Sequence, residues 1–137
     1  MQANRARRVI IASVLLLAGG VIIHAEMLDG TKWKVKVVPD KATADKGAKA
    51  FDDELIFTNG EFTSKIMLRE GFKPSKYKVE TEPGEVGFEV EQSKAIKATN
   101  DVAIWIGDIR GTNATGGLQW KKKVNGDFLY DVTGTKE

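Results

Sequence analysis

The stretch from Ala114 to Gly134, ATGGLQWKKKVNGDFLYDVTG, decides the fold, because apolar and polar residues alternate on both sides of a tight turn. Leu118 and Trp120 share one face of the first run. The second run alternates in the same way, with Phe128, Tyr130 and Val132 on one face. Between the runs, Asn125-Gly126 is the dipeptide most typical of a two-residue hairpin turn. The stretch therefore predicts a β-hairpin whose apolar face must be covered by the rest of the chain.

The same pattern continues toward the N terminus. A second Asn-Gly pair, Asn59-Gly60, joins two further runs within residues 51–70, and no long 3.6-residue periodicity occurs. Residues 40–50 are polar and alanine-rich, and are interpreted as a loop or one or two helical turns. Together the runs give eight strands of about six to nine residues. We predict an all-β, eight-stranded antiparallel up-and-down barrel without a C-terminal helix, closed by the last strand against the strand around Trp33, with a two-sheet sandwich as the main alternative.

The N terminus has the pattern of an export signal. Three arginines precede an apolar run from Val9 to Ile23, and the small residue Ala25 stands before the first acid, Glu26. This order predicts a signal peptide over residues 1–25 and a single barrel domain over residues 26–137 in the periplasm or outside the cell. A retained N-terminal anchor is the alternative; after removal of the signal we expect no stable membrane span.

Composition narrows the chemistry of residues 26–137. Three of the 21 basic residues precede Glu26, and all 19 acids lie within residues 26–137, so this part has 18 basic residues and a net charge of −1, which argues against a nucleic-acid partner. The chain has no cysteine, and its one histidine, His24, lies in the predicted signal. The usual nucleophile–histidine pairs and zinc ligand sets are thereby excluded. We expect no enzyme activity, no catalytic residue, no cofactor and no metal site.

Four short motifs carry a family resemblance. They are Gly30-x-x-Trp33, Trp105-x-Gly107, Gly116-x-Leu118-x-Trp120 and Tyr130-x-Val132-x-Gly134. In this order along nearly the whole of residues 26–137, the pattern resembles small secreted bacterial lipocalin-like (calycin) β-barrel proteins, most of which have no assigned function. The resemblance implies the barrel fold. The spacing before Trp33 is one residue longer than the usual Gly-x-Trp, and the disulfides typical of lipocalins are missing.

Aromatic residues at inward positions are the candidate ligand-binding site. The predicted contacts are Trp33, Phe57, Phe62, Tyr77, Phe88, Trp105, Trp120 and Tyr130. Rings of this kind either bind a small apolar ligand or fill an eight-stranded barrel, whose interior is just wide enough for side chains. Both interpretations stay open at this point.

Charged residues are weaker candidates for a functional site than the aromatic residues. Asp52, Asp53 and Glu54 are consecutive, so they alternate between faces and are interpreted as a solvated strand entry. Asp108 and Arg110 share a face and predict an outward salt bridge, and Lys121–Lys123 predict a solvated rim.

Two functions follow from these features. The first is an exported lipocalin-like binding protein for a small apolar or amphipathic ligand. The alternative is an envelope β-barrel module that binds or inhibits another protein, in the manner of a protease or lysozyme inhibitor.

Overall fold

The computed structural model describes residues 28–94 and 101–137, so the predicted signal peptide lies outside the described residues. The strands are β1 Thr31–Pro39, β2 Phe51–Thr58, β3 Glu61–Ser64, β4 Ser75–Glu82, β5 Glu85–Ser93, β6 Val102–Arg110, β7 Asn113–Lys122 and β8 Gly126–Lys136. The helices are α1 Lys41–Asp45 and α2 Lys65–Arg69. Within these ranges, no helix has the length and apolar character needed to cross a bilayer.

Each strand pairs antiparallel with the next along the chain, and β8 pairs with β1 to close the barrel. The closing register places Val37 opposite Val132 and Trp33 opposite Lys136. Closure gives every strand a partner on both sides over at least part of its length, so the barrel has no strand that is free along a whole edge. The predicted all-β, eight-stranded up-and-down barrel without a C-terminal helix is therefore confirmed.

The two Asn-Gly dipeptides form the hairpin turns that the sequence predicts. Asn59 and Gly60 have φ angles of 53° and 77°, and Asn125 and Gly126 have φ angles of 78° and 76°. Two successive residues with positive φ match the twist of the flanking strands, and asparagine and glycine adopt this conformation at the lowest cost. These turns fix the registers of β2 with β3 and of β7 with β8.

Two one-turn helices close one end of the barrel. In α1, the Asp40 carboxylate accepts the Thr43 N–H at 2.8 Å, and this bond lowers the Asp40 pKa. α1 agrees with the one or two helical turns allowed for residues 40–50. The prediction of a strand over all of Glu61–Glu70 is wrong, because β3 ends at Ser64 and α2 follows. The Ser64 hydroxyl caps α2 by accepting the Met67 N–H at 3.0 Å.

Burial alternates along the strands with a period of two residues. On β1, the lysines at 32, 34 and 36 are exposed, whereas Trp33, Val35 and Val37 are buried. Met67 from α2 and Phe72 from the following segment are also buried and extend the core to the helical end of the barrel. The core therefore lies inside the barrel, and the outer face is charged and solvated along β1.

Glycines at two facing positions let the interior side chains approach the backbone. Gly107 and Gly116 are register partners on β6 and β7. A Cβ atom on Gly107 would lie 2.5 Å from Cε2 of Phe88, and one on Gly116 would lie 2.1 Å from the carbonyl oxygen of Ile106. These spaces hold the Phe88 ring and the neighbouring strand, so the two positions require glycine.

We predict that Gly116→Ala lowers the free energy of unfolding by about 2–3 kcal/mol, because the new methyl group meets backbone that cannot rotate away. Chemical denaturation followed by tryptophan fluorescence measures the loss. The control is Thr115→Val on the exposed outer face, expected to change stability by less than about 0.5 kcal/mol. Equal stability of Gly116→Ala and the wild type would show that β6 and β7 are farther apart than described.

Candidate functional site

All eight aromatic residues predicted as ligand contacts lie inside the barrel. Each exposes 8% or less of its surface. They are Trp33, Phe57, Phe62, Tyr77, Phe88, Trp105, Trp120 and Tyr130. Their burial agrees with the predicted inward orientation, and the space between them decides what they are able to bind.

Seven of the eight rings fall into two groups by their ring contacts. Phe57 is the centre of the first, with ring centroids of Phe62, Tyr77 and Phe88 at 5.3, 4.9 and 5.1 Å. Trp105 joins this group through Phe62 at 5.4 Å. These separations are those of rings in direct edge or tilted contact. The first group is therefore a packed aromatic cluster.

The second group lies at the helical end. The Trp120 ring contacts Phe72 at 5.8 Å, and the Tyr130 ring contacts Phe51 at 5.7 Å. Lys122, predicted as part of a solvated rim, instead places Nζ 4.3 Å from the centroid of Trp120 and 4.0 Å from that of Phe128. These are cation–π distances. The helical end is thus covered by rings and lysine side chains.

Little empty space remains among the rings of the first group. The cavity bounded by Trp33, Phe57, Phe88 and Trp105 has a volume of about 10 Å³. One water molecule needs roughly that much room, and pockets for small molecules measure about 300–1,000 Å³. The rings in this arrangement fill the interior, as expected for a side-chain-filled eight-stranded barrel.

The polar atoms of the buried rings bond to the barrel's own residues. The pairs are Trp33 Nε1 with Thr31 Oγ1 at 2.9 Å, Trp105 Nε1 with Gln92 Oε1 at 2.9 Å, and Tyr77 Oη with Asp29 Oδ1 at 2.5 Å. In each pair the ring donates, which satisfies the polar group that burial would otherwise leave unpaired. A ligand would have to break these bonds to use the same donors.

Burial raises the pKa of both tyrosines of the chain, Tyr77 and Tyr130, and the bond to Asp29 raises that of Tyr77 further. Because the folded protein favours the protonated tyrosines, their protonated form contributes to the stability of the fold. This contribution is complete below the unfolded pKa of about 10, and it is lost as the pH rises toward the higher pKa of the folded state. We predict that phenolate absorbance appears only well above pH 10 while the fold persists, and that Asp29→Asn lowers the pKa of Tyr77 but not that of Tyr130. Ionisation of both tyrosines near pH 10 in the folded protein would contradict their burial.

Asp53 differs from the other two acids in its run. Its side chain points inward and is buried, accepting the Ile66 N–H at 3.0 Å, the Glu54 N–H at 2.7 Å and the hydroxyl of Ser64. Burial raises the Asp53 pKa, and these bonds oppose the rise. The interpretation of Asp53 as part of a solvated strand entry is therefore wrong. It ties α2 to β2, whereas Asp52 is exposed as predicted.

We predict that Asp53→Ala lowers the free energy of unfolding by about 2–4 kcal/mol, because it leaves one buried donor and two partly buried donors without their acceptor. The matched control is its neighbour, Asp52→Ala. It removes only an exposed ion pair with Lys36 at 3.6 Å and should cost less than about 1 kcal/mol. Urea denaturation measures both, and equal losses would contradict the anchoring role of Asp53.

A groove lies on the outside of the barrel beside α2. Its volume is about 540 Å³. Its basic lining residues are Lys34, Lys36, Lys65 and Arg69, and its acidic ones are Asp52, Asp53 and Glu54. A hydrogen bond with Glu137 and an ion pair with Lys65 at 2.5 Å lower the Glu54 pKa, so this carboxylate is charged at neutral pH. We call this surface the β2–α2 groove. The groove could not be predicted from the sequence, because α2 was not predicted.

The predicted salt bridge between Asp108 and Arg110 is replaced by another. Arg110 Nη2 lies 2.5 Å from Glu85 Oε1 on the neighbouring strand β5. The β5–β6 register explains the exchange, since Val86 faces Ile109 and the next positions outward are Glu85 and Arg110. This ion pair joins two strands at the turn end of the barrel, opposite α1 and α2.

No family model, curated protein or solved structure matches the chain. Among the residues described here, no group of three or more aspartate, glutamate, histidine or cysteine side chains is arranged to hold a metal ion. The candidate sites are therefore the ring-filled interior, the β2–α2 groove and a pocket of about 350 Å³ at the turn end of the barrel, which Trp33, Glu85 and Ile109 help to line.

Proposed function

We propose that this chain is an exported envelope β-barrel module that binds another protein through its outer surface. The single observation that carries the proposal is the contrast in volume between about 10 Å³ among the interior rings and about 540 Å³ in the β2–α2 groove. The groove thus has room for a partner's side chains, whereas the space among the interior rings does not. The mixed charges of the groove suit a polar protein surface better than an apolar small molecule.

Export and family are parts of the same proposal. The arginine-rich start, the apolar run and Ala25 support a signal peptide and a location in the periplasm or outside the cell. The order of eight antiparallel strands, with Trp33 near the start of β1, supports a relationship with small secreted bacterial lipocalin-like barrels. Members of one fold serve many functions, so the resemblance favours the barrel and leaves the partner to the surface residues.

Binding of a small apolar or amphipathic ligand by the interior rings stays a prediction. Such a ligand would need the cluster around Phe57 to separate, and each separated ring would lose its edge contacts, about 0.5–1.5 kcal/mol per aromatic pair. The hydrogen bond from Trp105 to Gln92 also holds the Trp105 ring in place, so a ligand would have to break this bond to move the ring. These contacts make the interior the less favourable of the two sites.

One experiment separates the two functions. We expect the tagged full-length protein, expressed in its own organism and recovered from the envelope fraction, to retain a protein partner that rebinds in about equal amounts when both are purified. Titration with palmitate, retinol and haem should leave the fluorescence of the three buried tryptophans unchanged. Saturable quenching by one of these ligands, with no protein retained, would overturn the proposal in favour of an interior ligand.

A further inference from the structure

β2 extends beyond the end of its partner β3. The β2–β3 pairs begin at Thr58 with Glu61 and end at Leu55 with Ser64. Residues 51–54 of β2 therefore have a strand partner, β1, on one side only. On the other side the chain leaves β3 and enters α2, and β3 itself pairs with β4 at only two positions. The closed barrel thus has a short strand edge at the start of β2.

The register shows which backbone groups point out of this edge. A two-residue turn makes Thr58 and Glu61 a hydrogen-bonded pair, so alternate residues of β2 point their N–H and C=O groups to the side of β3. By this alternation the backbone N–H and C=O groups of Glu54 and Asp52 also point away from β1. The Glu54 N–H accordingly donates to Asp53 Oδ1 and not to β1. Asp52 lies past the end of β3. Within residues 28–94 and 101–137, no backbone group of a loop or helix forms a hydrogen bond with its N–H or C=O.

Of the four basic side chains in the groove, two form ion pairs and two do not. Lys36 is paired with Asp52, and Lys65 with Glu54. Arg69 and Lys34 line the same groove, and among the described residues neither has a carboxylate oxygen within 4.0 Å. The Asp53 carboxylate is turned inward and occupied by α2. The groove therefore offers the backbone N–H and C=O groups of Asp52 beside Lys34 and Arg69, two basic side chains that form no ion pair within the described residues, in a lining of four basic and three acidic residues.

We propose that the β2–α2 groove binds an extended acidic segment of a partner protein, which adds as a short strand to β2 at Asp52. Backbone hydrogen bonds give affinity in this mode of recognition, and side chains at alternate positions give specificity. Acidic side chains of the segment lie toward Arg69 and Lys34. This site rests on the proposed function and identifies the surface that performs it.

A second copy of the chain fits the edge less well than an acidic segment. Antiparallel pairing of two β2 edges would bring Lys34 and Arg69 of one copy, which form no ion pair within the described residues, toward the same residues of the other, whereas Lys36 and Lys65 are already paired with acids in each copy. Like charges placed opposite each other oppose such pairing. The partner is therefore expected to supply the acids.

The test uses proline to remove one backbone donor. Asp52→Pro deletes the N–H that points into the groove, and an edge position tolerates proline because this N–H does not bond to β1. Asp52→Ala is the matched control, since it removes the same side chain and keeps the N–H. The probe is a short blocked peptide of alternating valine and glutamate, titrated into the full-length labelled protein and followed by amide NMR shifts. Far-UV circular dichroism and thermal melts confirm that both variants are folded.

We expect the peptide to shift amides of residues 51–54 and of α2, to bind Asp52→Ala within about threefold of the wild type, and to bind Asp52→Pro at least about tenfold more weakly. A peptide of alternating valine and lysine should bind far more weakly, and Arg69→Glu should weaken the glutamate peptide. No binding by the glutamate peptide, or equal binding by the two Asp52 variants, would overturn the proposal. So would concentration-dependent dimerisation that Asp52→Pro abolishes.

Failure of this site is distinguishable from failure of the proposed function. If the wild type retains an envelope protein and Asp52→Pro retains it equally well, the module binds proteins but not through the β2 edge. If the wild type retains no protein at all, the proposed function itself fails. Loss of the retained partner in Asp52→Pro, with retention in Asp52→Ala, is the result that supports both.

Discussion

Close packing of aromatic rings inside the barrel is the constraint on which the rest of the structure depends. An eight-stranded barrel has room for side chains and little else. Here Phe57 contacts three other rings, and the space left beside them is about 10 Å³. Gly107 and Gly116 belong to the same packing, because a methyl group at either position would enter space held by Phe88 or by backbone. The barrel is stabilised by this core without a disulfide.

The filled interior also determines where specificity can reside. Side chains that would line a cavity in a hollow barrel are here committed to one another and to Thr31, Gln92 and Asp29. The proposed recognition site lies on the outer surface, where β3 is too short to cover β2 and α2 takes its place. Asp53 makes this substitution stable by accepting donors from both elements. The buried Asp53 carboxylate thus holds α2 at the point where β3 ends, next to the β2–α2 groove.

The sequence predicts the barrel well because its signals are local. Asn59-Gly60 and Asn125-Gly126 set two hairpins, and period-two alternation identifies the inward residues, including all eight rings. It predicts α2 poorly, because this helix has only five residues and its anchor, Asp53, lies 13 positions before Ile66 in the chain. The inward position of Asp53 was nevertheless readable, since Leu55 and Phe57 follow it at intervals of two. The ion-pair partner of Arg110 could not be predicted from the sequence, because it depends on the register of β5 with β6.

The most direct test of the filled interior is a crystal of the protein pressurised with xenon. Xenon enters dry apolar cavities of about 150 Å³ in protein cores. A cavity of about 10 Å³ is too small for it, so we expect no xenon atom inside the barrel. A well-occupied xenon site among Phe57, Phe88 and Trp105 would contradict the packed core and would restore the interior as the binding site.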